Sequence, residues 1–295
     1  MSGPGSVLPE SVASLTATLR AGGYLADRGL STAAYVALTL DRPLLLEGEV
    51  GVGKTEIAKT LATVLGRRLI RLQCYEGIDT NQALYEWDYA RQLLQIRALS
   101  AQSLQDEAAV DSLFGPKFLL ERPLLDAVRT GAGAVLLVDE VDRADDEFEA
   151  FLLELLSEFQ ISIPEIGTIK AEQPPLVVLT SNRTRELHDA LKRRCLYHWV
   201  DYPTAERELE IVLVRAPDVS ETLARKVVAA VHRLRELDLA KAPGVAETID
   251  WVRTIGAVGA LDLDAETLED TIGAVIKDRD DLEVVRAHVA ELTRG

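Results

Sequence analysis

The stretch Gly48-Glu49-Val50-Gly51-Val52-Gly53-Lys54-Thr55 matches the pattern G-x-x-x-x-G-K-[ST] at every position. A short apolar run, Pro43–Leu46, leads into it, and Glu56–Leu65 continues with apolar residues at helical spacing. A glycine-rich turn between a strand and a helix directs backbone N–H groups inward, and the helix start adds partial positive charge. The stretch therefore predicts a phosphate-binding loop, in which Lys54 contacts the β- and γ-phosphates and the Thr55 hydroxyl binds Mg²⁺.

Composition predicts a soluble globular chain of one large domain or two smaller ones. Of the 295 residues, 47% are hydrophobic and 27% are charged. No apolar run approaches the roughly 20 residues of a membrane span. Met1–Glu10 lacks the positive charge and apolar core of a signal peptide.

Charge and cysteine content bound the partners and the compartment. The net charge of −16 argues against a general nucleic-acid binder, although Arg183–Arg194 contains a local basic cluster. Cys74 and Cys195 form neither a zinc pattern nor a disulfide framework, so we expect a reducing cytoplasm.

Five apolar runs, with helical patterns between most of them, predict the strands of one sheet. Such runs are typical of an α/β domain with a five-stranded parallel sheet that is covered on both faces. The predicted strands are Pro43–Glu47, Arg68–Gln73, Ala134–Asp139, Leu176–Asn182 and Leu196–Val200.

The texture of the chain changes after Tyr202-Pro203, where no strand pattern returns. We expect a flexible N-terminus over residues 1–10, an α/β domain over 11–203, in which 11–40 is mostly helical, and an all-helical domain over 204–295. Asp264 is a suitable helix N-cap. The predicted C-terminal helices are Thr204–Arg215, Ser220–Leu237, Ala246–Ala260, Asp264–Lys277 and Arg279–Leu292.

A second chemical motif is Val135–Glu140, in which four apolar residues run into Asp139 and Glu140. The pattern places two acids at the carboxyl end of a buried strand, where ligands bind in parallel α/β sheets. Asp139 would hold Mg²⁺ through water, and Glu140 would act as the general base for an attacking water. The alternative is an acidic loop after a strand, because further acids follow. The phosphate-binding loop earlier in the chain favours the catalytic interpretation. Glu140 disfavours a metabolite kinase, which needs no water-activating acid.

Asn182 ends the fourth apolar run. Its amide at a strand end would hold the attacking water or contact the γ-phosphate, whereas the alternative is an ordinary cap of a strand end. The order phosphate-binding loop, Asp-Glu, Asn and then an arginine cluster favours the functional role.

Together these motifs resemble the AAA+ ATPases and, among them, the MoxR family, from about Leu25 to the C-terminus. Gly48–Thr55 resembles the Walker A loop, Val135–Glu140 resembles Walker B, and Asn182 resembles sensor 1. The resemblance identifies the α/β region as a nucleotide-binding domain and the helical region as its lid.

The same resemblance marks candidate residues at a subunit interface. Asp139–Ala144 is similar to the family's D-E-x-x-R-A, which contains Arg143. Ala190–Cys195 is similar to A-L-x-x-R-F, which puts Arg194 at the arginine-finger position. Arg193 is adjacent, and the sequence does not say which of the two points across the interface; without the resemblance, a solvated basic stretch is the default.

Two segments resemble inserts of the family, Gly77–Leu94 after the second strand and Phe159–Pro174 before sensor 1. The segments Glu86–Leu94 and Ala190–Tyr197 are most similar to the branch that serves carbon monoxide dehydrogenase and related molybdenum hydroxylases. The first insert carries alternating aromatics, for which we favour core packing over a pore-facing role.

The resemblance implies a homo-oligomeric ring, a hexamer, that binds ATP with Mg²⁺ between subunits. Members act as chaperones or activators that mature a metalloenzyme, typically with a partner that carries a von Willebrand factor A domain. We therefore expect an ATPase that remodels a metalloenzyme client. The alternative function is a nucleotide-dependent binding switch with little turnover.

One position departs from the family pattern. The lid usually supplies a sensor 2 arginine near the start of its third helix, and Ala246 stands where this arginine is expected. Arg253 lies about two helical turns further on and does not match the position. Coupling between nucleotide and lid is therefore expected to be weak or to use another residue.

Overall fold

The computed structural model of the chain describes residues 8–98 and 112–293. Contacts divide the chain into two units. The first unit comprises the chain up to Thr18, Asp27–Glu47 and Ala58–His198. The second unit comprises Leu19–Ala26, Gly48–Ile57 and the chain from Trp199 onward. The predicted domain limits at residues 10 and 203 stay predictions, and residues 1–7 lie outside the described ranges.

Nine strands are present in the described residues, and five of them form the central sheet. They are β1 (Leu44–Gly48), β2 (Arg68–Gln73), β3 (Tyr85–Trp87), β4 (Leu119–Glu121), β5 (Ala134–Asp139), β6 (Gln160–Ile163), β7 (Gly167–Lys170), β8 (Leu176–Ser181) and β9 (Leu196–Val200). The sheet has the order β2-β5-β8-β1-β9, and the pairs β2/β5, β5/β8 and β1/β8 are parallel. The predicted α/β class and all five predicted strands are confirmed.

The three central strands, β1, β5 and β8, consist mainly of apolar residues, and both faces of the sheet are covered there. Every residue of β1, β5 and β8 is buried. In the register of the sheet, Leu45 lies beside Leu179 and Leu179 beside Val138, so the three strands place branched side chains in adjacent rows. Because the strands are parallel, the residues that end β5 and β8 lie at one edge of the sheet.

Helices connect the strands of the first unit and complete the second. The helices up to β9 are α1 (Val12–Ala21), α2 (Arg28–Leu40), α3 (Lys54–Val64), α4 (Thr80–Leu84), α5 (Tyr89–Ala98), α6 (Pro123–Thr130), α7 (Asp146–Glu158) and α8 (Asp189–Arg194). The later helices are α9 (Ala205–Arg215), α10 (Glu221–Glu236), α11 (Val245–Ala257), α12 (Ala265–Thr271), α13 (Arg279–Arg286) and α14 (Val289–Leu292). Within the described ranges, each helix is too short or too polar to cross a bilayer.

Both predicted inserts form local structure. The first contains α4, β3 and α5, and β3 pairs with β4 in antiparallel orientation. The second is the antiparallel hairpin of β6 and β7. Trp87 is buried and contacts Phe114 edge to face, with ring centroids 5.5 Å apart, which fits the packing interpretation, whereas Tyr89 is exposed.

The second unit has its own core, in which Trp251 of α11 is fully buried. The indole Nε1 of Trp251 donates to Thr271 Oγ1 over 2.8 Å, so this buried donor is satisfied. Asp264 caps α12 by accepting a hydrogen bond from the Thr267 amide, as the sequence predicts.

The segment 11–40 is mostly helical, as predicted, and two later predicted helices are shorter or more divided than expected. The segment 11–40 breaks at Gly23, whose φ of +80° disfavours a helix, and α2 begins anew behind its N-cap Asp27. The helix predicted up to Lys277 ends at Thr271, and a 3₁₀ turn over Ile272–Ala274 follows. The last predicted helix is split into α13 and α14.

Candidate nucleotide-binding site

The phosphate-binding loop connects β1 to α3, and its glycines take backbone conformations that side chains disfavour. The φ angles are +77° at Gly51 and +97° at Gly53. At Gly48 an added Cβ would lie 2.2 Å from the carbonyl oxygen of Val200, so only glycine fits there. The glycines of the motif therefore permit both the tight turn and the close approach of backbone that a phosphate cradle requires.

Lys54 begins α3 and is almost completely buried. Its Nζ donates to the carbonyl oxygens of Gly48 over 2.8 Å and of Glu49 over 2.6 Å. A buried ammonium needs such partners because desolvation of an unpaired charge is costly. Thr55 follows in the first turn of the same helix and is half-buried. The loop thus holds one cation inside its own curve, beside the helix N-terminus.

The start of α11 packs directly on the phosphate-binding loop. The Ala246 amide donates to the Gly51 carbonyl over 3.2 Å. Gly244 approaches so closely that an added Cβ would lie 2.7 Å from the Gly51 Cα. Glu247 caps the helix start from within its first turn by accepting a hydrogen bond from the Gly244 amide over 3.0 Å. Backbone groups of the helix start therefore contact the loop where the family pattern has an arginine.

A buried ion cluster supports this helix start from within the second unit. Glu208 has no exposed surface; it accepts two hydrogen bonds from Arg235, over 2.6 and 2.8 Å, and one from Thr248 over 2.6 Å. Arg235 also donates to the Pro243 carbonyl over 2.7 Å, which fixes the residue before Gly244. Sequence reasoning did not find this cluster; the local signal is Glu247, three residues after the N-cap Gly244.

Asp139 ends β5 and is buried. One carboxylate oxygen accepts from the Thr180 hydroxyl over 2.6 Å, and the other accepts from Arg71, whose Nη2 lies 2.6 Å away. Two further acids, Glu140 and Asp142, follow the strand, and all three acids lie near the thiol of Cys74. Burial, with the added negative charge of Asp139, Asp142 and Glu140, raises the pKa of the Cys74 thiol to about 12. Three carboxylates therefore lie close together at this end of the sheet, with Arg71 paired to Asp139.

Glu140 takes a left-handed conformation, with φ 55° and ψ 50°, which is unfavourable for a non-glycine residue by about 1–3 kcal/mol. Two contacts hold it there. Its amide donates to Thr180 Oγ1 over 3.0 Å, and its carboxylate pairs with Arg143 Nε at 3.0 Å. Since Thr180 also donates to Asp139, one hydroxyl of β8 orders both acids at the end of β5.

The turn after β8 is tied to the turn after β5 through Asp142. This buried carboxylate accepts from the amides of Asn182, over 3.1 Å, and Thr184, over 2.8 Å. Arg183, between them, has a positive φ of 56°. The arrangement fixes the backbone of Asn182 at the same sheet edge as Asp139 and Glu140, where the sequence predicts it.

A further buried acid precedes the loop and was missed by sequence reasoning. Glu47 of β1 accepts from Ser181 Oγ over 3.2 Å. Burial and a hydrogen bond to Glu47 raise the pKa of Tyr197 on β9. The cluster links the ends of β1, β8 and the start of β9 within the first unit.

The candidate finger residues Arg193 and Arg194 end α8, and both are exposed. Within the described residues, neither side chain makes a hydrogen bond or an ion pair, whereas their backbone carbonyls accept from Arg42. Two adjacent, uncommitted guanidinium groups are therefore available at one surface of the first unit. The geometry does not choose between them.

The fold and the site define a P-loop nucleotide-binding protein of the AAA+ class. The chain matches the AAA domain (dynein-related subfamily) over residues 43–195, from the start of β1 to the end of α8. This span exceeds half of the chain, and the chain belongs to this AAA family.

Individual relatives are distant. Midasin of Dictyostelium discoideum is 26% identical over 215 residues, which are 70% of this chain and 3% of midasin, so the chain spans only a small part of that protein. An uncharacterized protein of Staphylococcus saprophyticus is 21% identical over 72% of this chain and 75% of its own length. Among solved structures, a mutant of Thermotoga maritima RuvB matches with a TM-score of 0.50 and 18% identity, over 93% of this chain and 75% of that chain. The structural match concerns the fold alone.

We expect Gly244→Ala to weaken ATP binding. The new Cβ would meet the Gly51 Cα at 2.7 Å and the Val50 carbonyl oxygen at 2.8 Å, so the loop or the helix start must shift. Overpacking of this kind costs about 1–3 kcal/mol, and a tenfold loss of affinity corresponds to about 1.4 kcal/mol. Calorimetric titration with ATP should therefore show affinity reduced by roughly tenfold or more.

Gly256→Ala is the matched control, because it lies in the same helix and its added Cβ would meet no atom closer than 3.9 Å. Equal ATP affinity in the two variants would contradict a functional contact between α11 and the loop.

Proposed function

We propose that this chain is a MoxR-type AAA+ chaperone or activator that hydrolyses ATP and remodels or matures a partner metalloenzyme. Membership of the AAA family implies ATP binding and ATPase activity. The observation that carries hydrolysis is the arrangement of Glu140, which ends a buried strand and is held by Arg143 and Thr180 in a left-handed conformation. A carboxylate fixed in this way, beside buried Asp139, is suited to accept a proton from water.

The residues fit ATP and Mg²⁺. Gly51 and Gly53 leave a backbone cradle that side chains would fill, and the buried Lys54 ammonium supplies positive charge inside it. Thr55 offers a hydroxyl and Asp139 a carboxylate, the oxygen ligands that Mg²⁺ prefers. When bound, the ion neutralises charge on the β- and γ-phosphates.

Lys54, Glu140 and Asn182 have distinct tasks in the proposed reaction. Lys54 exchanges its loop carbonyls for phosphate oxygens, and the loop amides orient the phosphates for in-line attack. Glu140 takes the proton of the attacking water, while Asn182 orients that water or contacts the γ-phosphate. Hydrolysis then needs one more cation where charge accumulates in the transition state.

We assign that cation to Arg194 of a neighbouring copy, with Arg193 as the alternative. The assignment is supported by two exposed guanidinium groups without a partner in the described residues, at the position that resembles the family's finger. It implies a homo-oligomeric ring, which we propose to be a hexamer with ATP between subunits.

The client and the accessory partner follow from resemblance. The segments Glu86–Leu94 and Ala190–Tyr197 are similar to the branch that serves carbon monoxide dehydrogenase and other molybdenum hydroxylases. We therefore propose such a metalloenzyme as client, a protein with a von Willebrand factor A domain as accessory partner, and the cytoplasm as location.

A nucleotide-dependent binding switch with little turnover is the second candidate. It is favoured by Ala246, which contacts Gly51 through its backbone and brings no charge toward the phosphates. The two functions differ in one measurable quantity, the rate of phosphate release.

Glu140→Gln should bind ATP and accumulate it unhydrolysed, because the amide keeps the shape of the side chain but cannot accept the proton. Lys54→Ala is the matched control and should lose ATP binding itself, since phosphate charge is then uncompensated. Nucleotide titration and phosphate release separate the two variants. Parental turnover in Glu140→Gln would remove Glu140 as the base.

Arg194→Ala should keep ATP affinity near normal while hydrolysis drops by roughly 10³-fold or more, because the finger acts on the neighbour's site. Parental specific activity should rise with protein concentration, and native mass should increase with ATP and Mg²⁺. A mixture of Arg194→Ala with Glu140→Gln should regain activity where an intact finger meets an intact base. Flat specific activity without rescue, also for Arg193→Ala, would exclude the shared site.

Maturation of the client should require hydrolysis. An immature molybdenum hydroxylase, incubated with this chain, the von Willebrand factor A partner, ATP and Mg²⁺, should gain activity, whereas the same mixture with Glu140→Gln should not. Equal gain with both proteins would favour the switch, since ATP binding alone would then suffice.

A further inference from the structure

The side chain of Arg42 reaches the end of the helix that carries the candidate finger. Arg42 precedes β1 in sequence and is half-buried. Its Nη2 donates to the carbonyl oxygens of Arg193 over 3.0 Å, Arg194 over 3.1 Å and Cys195 over 3.2 Å, and its Nε reaches Arg194 O at 3.3 Å. One guanidinium group thus serves three successive carbonyls at the end of α8.

These carbonyls belong to a helix end that would otherwise need other partners. The last carbonyls of a helix have no acceptor role within the helix itself, and lysine or arginine side chains near a helix C-terminus commonly donate to them. Arg193 and Arg194 are the arginines in the last turn of this helix. Because Arg42 occupies the carbonyls, the two guanidinium groups lose these local acceptors.

Charge acts in the same direction. Arg42 contacts the C-terminal end of α8. The last turn of this helix also carries Lys192, Arg193 and Arg194. The negative end of the helix dipole favours the Arg42 cation there, while like-charge repulsion disfavours the return of the other guanidinium groups to the same place. Their exposure, without a partner in the part of the chain that the structure describes, agrees with this balance.

Arg42 is itself anchored from both sides. Its amide donates to the Ala37 carbonyl over 3.1 Å at the end of α2, where Asp41 takes a positive φ of 50°. The next residue, Pro43, accepts from the Leu196 amide over 2.7 Å and so joins β1 to the strand that follows α8. The α8–β9 turn is therefore bound to the start of β1 by backbone and by side chain.

The geometry points to Arg42 as a positioning residue for the arginine finger: it caps α8 in place of Arg193 and Arg194 and thereby keeps both free for the γ-phosphate bound by a neighbouring copy. The assignment rests on the proposed shared ATP site. It predicts a defect confined to the finger half of that site, because the loop and the acids of the same chain are untouched.

Arg42→Ala should therefore keep its ATP affinity and lose hydrolysis on the order of 10²-fold, the effect of a small misplacement of a catalytic group. Arg42→Lys, whose single ammonium cannot serve three carbonyls in a fixed fork, should lie between Arg42→Ala and the parent. Arg68→Ala is the matched control; Arg68 makes a bidentate ion pair with Asp126 in the same unit, away from α8. It should hydrolyse ATP like the parent.

Mixing assigns the defect to one half of the site. Arg42→Ala mixed with Glu140→Gln should regain hydrolysis, whereas Arg42→Ala mixed with the finger variant, Arg194→Ala or Arg193→Ala, should not. Adding Arg42→Ala to the finger variant should cause no further loss, since a positioning residue has nothing left to position.

Three results would overturn the assignment: parental turnover in Arg42→Ala, reduced ATP affinity in both Arg42 variants, or rescue of Arg42→Ala by the finger variant. If Arg42→Ala does not fold, the same mixtures with Arg42→Lys decide the question. Failure of the proposed function is seen separately, because the parent would then show no hydrolysis or the Arg194→Ala and Glu140→Gln mixture no rescue.

Discussion

The buried ammonium of Lys54 is the constraint on which the site depends. A charge at this depth is tolerated only where oxygen atoms replace its water, and the loop supplies the carbonyls of Gly48 and Glu49. To bring them within 2.8 and 2.6 Å of one nitrogen the backbone must double back, which requires positive φ at Gly51 and Gly53. Because neither Gly51 nor Gly244 has a side chain, the start of α11 can approach the loop closely. The Ala246 amide donates to the Gly51 carbonyl there.

Three acids near the end of one strand acquire different tasks from their surroundings. Asp139 is buried and bonded to Thr180 and Arg71, so both of its oxygens are fixed. Asp142 is buried, and its two carboxylate oxygens accept hydrogen bonds from backbone amides, so it connects the turns after β5 and β8. Glu140 is partly exposed and in a strained conformation, and its carboxylate pairs with Arg143. Among the three, its carboxylate is the most exposed to solvent.

The sequence predicts features that neighbouring residues form, such as strands and motifs, but not contacts between residues that are far apart in the chain. Each of the five sheet strands can be recognised from a short apolar run, and the phosphate-binding loop is a continuous motif. Helix ends were less predictable, because the break at Gly23 depends on backbone conformation and the helix predicted up to Lys277 gives way to a 3₁₀ turn after Thr271. The Glu208–Arg235 pair and the reach of Arg42 to α8 join residues far apart in the chain, for which no periodic pattern exists.

The contact at Ala246 bears on how nucleotide and helical region communicate. An arginine at this position would respond to phosphate charge, with an energy that depends on distance and screening. The amide of Ala246 instead donates to the Gly51 carbonyl, and Gly244 lies against the loop without a side chain. Such a contact depends on the path of the loop backbone. The buried Glu208–Arg235 pair holds Pro243, the residue before Gly244, through a hydrogen bond from Arg235. At this contact α11 and the phosphate-binding loop therefore meet through backbone atoms of Gly51, Gly244 and Ala246.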